Sequence, residues 1–368
     1  MDALREIAII KEADFHPGLI KLSPKYREAG YVVVPYRHGV GCWSSRVSDW
    51  LLDKTGSHSL KIAIDDDGFT IDASAASVLA PKLALEALIQ GKHFSNDAKI
   101  RLKGDGLISP WDGVRVVLEK THYIATMCTN DMVGKVALAK KGNLLKGCDY
   151  RVTERMLTSE GMLREWDTIK LGNQLGASTL AFTSDGYPIV VEQTGKNIQS
   201  ENLLAPSGSG SFDWADLRRA EGRDFVEWAS QAALRELFEE CGLESVHCGA
   251  DIASGMCPVG FGLYLHRGAK PELMFLGRIE LTKVQFRRIS TFSSIERQLS
   301  KIRSLDDAFR LQDGQWTAAN VKAVCAGLLK DRRDQLSMPL EMLLEMVTYA
   351  CDARPDRINA IRPRVESI

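Results

Sequence analysis

Glu236, Glu239 and Glu240 stand at positions i, i+3 and i+4, just ahead of Gly242. In a helix that spacing stacks three carboxylates on one face. Crowded anions repel one another. Near a helix C-terminus they also oppose the negative end of the dipole, where lysine or arginine would suit stability better. Such a local conflict is the kind found at functional sites. A hard divalent cation with oxygen ligands would relieve it. The bland alternative is a solvated acidic face, which most charge runs are. The surrounding residues decide between the two.

Those residues read Glu227-Trp-Ala-Ser-Gln-Ala-Ala-Leu-Arg235-Glu236-Leu237-Phe238-Glu239-Glu240-Cys241-Gly242-Leu243. The pattern predicts a helix from about Asp224 to Cys241, with acidic Asp224 and Glu227 at its positive end. Ser230, Ala233, Leu234 and Leu237 form a narrow packing face, with the glutamates on the opposite side. Gly242 fits a left-handed cap and Leu243 packs back on the last turn. Arg235, beside Glu236 and two turns after Glu227, is placed to form an ion network that fixes one carboxylate.

A sheet must hold this helix. Ser178–Phe182 and Tyr187–Glu192 bracket Ser184-Asp185-Gly186, a hairpin signal. A Ser/Gly run, Pro206 to Ser211, reads as a loop before the helix, and strands follow around 262–265 and 272–279. The alternation implies an α/β mixed sheet with helices packed on it. Upstream, Tyr31–Tyr36 is a strand candidate. Leu60–Ile64 and Phe69–Asp72 flank Asp65-Asp66-Asp67-Gly68 as a second hairpin, and residues 73–90 are helical in composition. Val114–Leu118 and Tyr123–Met127 read as strands, Thr153–Glu165 as a helix. Downstream, helices are expected over 294–308, 317–331 and 339–351, with a frayed tail from Arg354. Leu340, Leu343, Leu344 and Val347 mark a core face or a subunit contact. Four segments result: an N-terminal α+β domain (1–110), strands and a connecting helix (111–164), the segment around the carboxylate helix (165–290) and a helical C-terminal region (291–368).

The box Glu227…Arg235-Glu236-Leu237-Phe238-Glu239-Glu240-Cys241-Gly242-Leu243 resembles the signature of the Nudix hydrolase superfamily. That pattern runs Gly, five residues, Glu, seven residues, Arg-Glu, an aliphatic, any residue, Glu-Glu, any residue, Gly, an aliphatic. One position departs: Glu221 stands where the leading glycine belongs, with Gly222 beside it. The resemblance implies a mixed-sheet α/β/α sandwich over 165–290. It implies magnesium or manganese on Glu236, Glu239 and Glu240, with Glu236 alternatively activating water and Arg235 and Glu227 holding it. A further carboxylate, Glu272 or Glu280, is implied from a later strand. The activity implied is metal-dependent cleavage of the pyrophosphate in a nucleoside diphosphate linked to another group. The alternative is a binding module of the same fold that senses a nucleotide or nucleotide sugar without hydrolysis.

Composition narrows the partners. The chain has 368 residues, 45% of them hydrophobic and 26% charged, and a net charge of −1. This is ordinary globular composition with no basic block marking a nucleic-acid surface. Its eight cysteines form no CxxC pair, so reduced buried thiols are expected. No apolar run reaches membrane-spanning length, and the first residues lack a signal-peptide pattern; the expectation is a cytoplasmic protein. Its expected partner is a nucleotide-type small molecule, with a homodimer through the C-terminal helices as a further expectation. His38-Gly39-Val40-Gly41-Cys42 lacks dinucleotide-binding spacing and reads as a turn.

Overall fold

The computed structural model describes residues 8–53, 60–72, 79–90, 96–109, 115–139, 150–193, 203–217, 224–243, 253–290, 300–304 and 307–361. In chain order these begin with β1 (Ala8–Glu12), α1 (Pro24–Glu28), β2 (Tyr31–Tyr36), β3 (Gly39–Ser44), α2 (Ser45–Asp53), β4 (Ile62–Asp65) and α3 (Ala80–Ile89). Next come β5 (Ala98–Leu102), β6 (Val116–His122), α4 (Tyr123–Cys128), β7 (Lys135–Ala139), β8 (Tyr150–Arg151) and α5 (Thr153–Met156). Then follow β9 (Gly176–Phe182), β10 (Pro188–Gln193), β11 (Leu204–Ala205), β12 (Gly208–Ser211), α6 (Phe225–Cys241), β13 (Ala253–Tyr264) and β14 (Lys270–Ile279). The last elements are α7 (Lys283–Ser290), β15 (Ser300–Ser304), α8 (Ala318–Asp331), α9 (Met338–Ala353) and α10 (Pro355–Asn359).

The main sheet has nine strands, running β11-β10-β9-β14-β13-β3-β2, with β12 also on β9 and β15 also on β10. It is mixed: β14 and β9 are parallel, while β13 pairs with β14 and with β3 antiparallel. Strands from residues 31–44 therefore share hydrogen bonds with the segment that carries the carboxylate helix. Alternate residues of β9 serve two cores. Leu180 and Phe182 pack with Val321, Leu328, Leu343 and Val347 of α8 and α9. Ala181 packs with Leu237 and Cys241 of α6, and Ala177 joins the cluster that holds Ala229 and Ala233. Helices thus flank both faces, an arrangement compatible with an α/β/α sandwich. The small sheet β4-β6-β5 is tied on through backbone bonds of Ile100 to Phe212 and Leu175.

Several expectations need correction. β4 pairs in parallel with β6, and Phe69–Asp72 forms no strand, so the second hairpin is absent. Tyr123–Met127 is helical, since a short apolar run does not fix its own period. Only Thr153–Met156 of 153–165 is α-helix. Residues 300–304, expected helical, form β15 on β10. Residues 355–361 dock rather than fray, the rest of the expected tail lying outside the described residues: Ile358 is buried, and its carbonyl accepts from Trp316 Nε1 at 2.8 Å. Leu340, Leu343, Leu344 and Val347 are core, each 0% exposed. Cys42, Cys128, Cys241, Cys257, Cys325 and Cys351 are free and buried. Among the described residues no helix is long and apolar enough to cross a membrane.

Candidate active site

Both ends of α6 are built by local sequence. Asp224 is the N-cap: its side chain accepts from Glu227 N at 3.0 Å and from Leu60 N at 3.0 Å. Gly242 adopts φ 66°, ψ 34°, and Leu243 N bonds back to Phe238 O at 2.9 Å. This is the left-handed glycine stop, which a side chain would strain. The Ser/Gly run is strand β12 rather than a loop. Its glycines let the helix lie against it. A Cβ on Gly208 would fall 2.6 Å from Leu237 Cα, and one on Gly210 would fall 1.8 Å from Glu236 Oε2.

The buried face of α6 is rotated from the expected one. Ala229, Ala232, Ala233, Glu236 and Leu237 are buried, while Ser230 and Leu234 are only half-buried. Glu236 thus turns inward, 8% exposed, whereas Glu239 and Glu240 stay half-buried at the rim. Glu240 Oε1 lies 3.4 Å from Ser209 Oγ.

Arg235 gathers the acidic groups. Its Nη1 donates to both oxygens of Glu239 at 2.6 and 2.7 Å, and its Nη2 donates to Glu236 Oε1 at 2.7 Å. Nε and Nη2 grip Asp216 at 3.0 and 2.9 Å, a two-pronged pairing suited to the guanidinium fork. Asp213 Oδ2 is 3.3 Å away and is also paired with Lys99. Burial alone would lower the Arg235 pKa; its bonds to Asp216 and Glu239 and the charge of Glu236 outweigh this and raise it. Burial pushes Glu236 up to about 7; Arg235 and Lys99 oppose that rise, and Glu239 adds to it.

Of the residues singled out in the sequence, Arg235, Glu236, Glu239 and Glu240 meet at one end of α6. Glu227 does not join them. It is exposed, and among the described residues no hydrogen bond or ion pair links its carboxylate to Arg235. Asp216, in the 3₁₀ turn Trp214–Leu217, holds Arg235 instead. Nothing in its sequence neighbourhood singled it out, because the contact spans 19 residues. Glu272 projects from the other face of the sheet. Ser178 Oγ donates to it at 2.8 Å and Lys270 Nζ at 2.5 Å. Glu280 follows the Ile279 end of β14, and its Oε1 is buried without a partner among the described residues.

The donor set, three glutamates beside a glycine cradle, suits a hard dication in its chemistry. Among the described residues, however, no three His, Cys, Asp or Glu side chains converge as ready ligands. Arg235 supplies the cation around which Glu236, Glu239 and Asp216 close.

No family model matches this chain, and no curated protein matches it. Among solved structures there is a distant, partial likeness to a bifunctional NMN adenylyltransferase/ADP ribose pyrophosphatase from Francisella tularensis. It has 15% identity and a TM-score of 0.23, and it covers 49% of this chain and 41% of that one. The match therefore spans less than half of that protein.

Proposed function

We propose that this protein is a metal-dependent hydrolase that cleaves the pyrophosphate of a nucleoside diphosphate linked to another group, with magnesium or manganese as its ion. One observation carries the reading: Glu236 is buried against Gly210 and raised to about 7, with Glu239 and Glu240 one turn away on the same helix. Stability alone does not favour such a cluster at a helix C-terminus. The box pattern in the sequence points the same way.

In this reading Glu236, Glu239 and Glu240 hold the ion. A bound dication would neutralise developing charge on the diphosphate and acidify a water. Arg235 fixes the Glu236 rotamer, and Asp216 fixes Arg235. In the alternative role Glu236 leaves the ion to Glu239 and Glu240 and activates the attacking water. Gly208 and Gly210 keep the approach between β12 and α6 close. The test is phosphate release from nucleoside triphosphates, ADP-ribose, dinucleotide polyphosphates and nucleotide sugars, with and without magnesium. Glu239→Gln and Glu240→Gln should each lower turnover about a hundredfold or more while the fold persists. Unchanged turnover in both variants would reject the assignment.

A second reading is a nucleotide-binding module without hydrolysis. It is favoured by the way Arg235 occupies both oxygens of Glu239. Tight nucleotide binding with no metal-dependent phosphate release would select it.

A further inference from the structure

A cavity of about 600 Å³ opens at the Tyr264 end of β13. Its walls come from the segment after β1, the β2–β3 turn, the start of β7, the turn after β13 and the first residues of α9. No residue of α6 or of the Asp213–Leu217 turn lines it.

The cavity presents unused polar groups beside apolar ones. Arg267 places Nε and Nη2 on one oxygen of Asp131, at 3.1 and 2.9 Å, and its Nη1 has no partner among the described residues. Burial holds His266 neutral, its pKa lowered to about 4. Nδ1 lies 3.1 Å from the Val40 carbonyl and 3.4 Å from Val40 N; on the shorter contact we assign the proton to Nδ1, which leaves Nε2 an acceptor. Gly39 is required by this wall: a Cβ there would fall 2.8 Å from His266 Cε1 and 3.0 Å from Met338 Cγ. The glycine-flanked His38–Cys42 stretch thus makes room for a ring.

The apolar part is supplied by Phe15 and Met338. Met338 also begins α9, a 16-residue helix whose N-cap Ser337 makes no capping bond and whose hydroxyl is buried and unpartnered. The first-turn carboxylate, Glu341, is engaged elsewhere, accepting from Arg37 N at 3.0 Å and Arg333 Nε at 2.5 Å. Glu12 and Asp131 line the cavity too; Asp131 is taken up by Arg267, and Lys135 Nζ donates to the Asp131 carbonyl at 3.1 Å, so an anion here would meet Arg267 Nη1, Lys135 and the positive end of this helix.

We infer that this cavity is a second ligand site, separate from the carboxylate helix, for a flat heteroaromatic molecule carrying one acidic group. The acid is held by Arg267 and Lys135, a ring N–H meets His266 Nε2, and Phe15 and Met338 cover the ring faces. Carboxylate and phosphate share this chemistry, so both are tested.

Calorimetric titration of the full chain with orotate, nicotinate and AMP tests it, with inorganic phosphate and nicotinamide as controls. At least one ring-bearing acid should bind saturably, and both controls should bind about tenfold or more weakly. Arg267→Gln should weaken that binding about tenfold. Lys135→Gln and Phe15→Ala, at the rim, should each weaken it about threefold and keep the test open if Arg267→Gln does not fold. Glu240→Gln should leave it unchanged. The inference is overturned if none of the three acids binds below roughly 1 mM. It is equally overturned if inorganic phosphate binds as well as they do, or if the rim variants bind like wild type.

Discussion

Arg235 Nη1 donates to both carboxylate oxygens of Glu239, at 2.6 and 2.7 Å, one helical turn away. The same guanidinium reaches Glu236 and Asp216. One side chain therefore offsets part of the negative charge at the C-terminal end of α6, and an incoming dication has to compete with it for Glu239.

Removing that guanidinium should be costly. Arg235→Ala leaves Asp216, Glu236 and Glu239 facing one another, and breaking such a partly buried network costs about 3 kcal/mol. Arg235→Lys keeps the charge without the fork and should fall between the two. Urea unfolding at neutral pH measures this. Equal midpoints for all three proteins would show that the network contributes nothing to stability.

The raised pKa of Glu236 has a definite sign for stability. Between the ordinary value of 4.5 and the folded value of about 7, the folded chain holds a proton that the unfolded chain has released. Stability from this group is therefore fully present at low pH and is lost as pH rises through 7, over a span of about 3 kcal/mol. Glu236→Gln mimics the protonated form. The stability gap between it and wild type should widen from pH 5 to pH 8 in favour of the variant. A gap that stays constant with pH would contradict the burial account.

The two β12 glycines should respond differently to alanine. At Gly208 the new methyl meets Leu237 backbone, which cannot yield without moving the helix, so a loss of about 1–3 kcal/mol is expected. At Gly210 it meets the end of the Glu236 side chain, which can swing aside. Gly210→Ala should therefore keep most of its thermal stability and lose turnover. The reverse ranking in thermal melts would mean that β12 does not press on α6 as described.

The sequence exposed α6 well because its signals are local. The Asp224 cap, the Gly242 stop and the carboxylate spacing all lie within one short stretch. It failed wherever a partner decides the outcome. Phe69 could not reveal that its amide bonds Lys120 rather than closing a hairpin, and residues 300–304 became a strand because β10 offers an edge. Asp216 was invisible as the anchor of Arg235 for the same reason. Even the direction of Glu236 is set by a partner. Helical periodicity places it beside Leu237, but only the two glycines of β12 bring the strand near enough to bury it.

Dication binding by the glutamates of α6 is tested most directly by titrating manganese into the protein at pH 8 and following the free-ion electron paramagnetic resonance signal. Wild type should remove the free-ion signal saturably, and Glu239→Gln and Glu240→Gln should each restore it. A wild-type protein that leaves the signal unchanged up to roughly 1 mM manganese, or variants that bind as wild type does, would contradict the account.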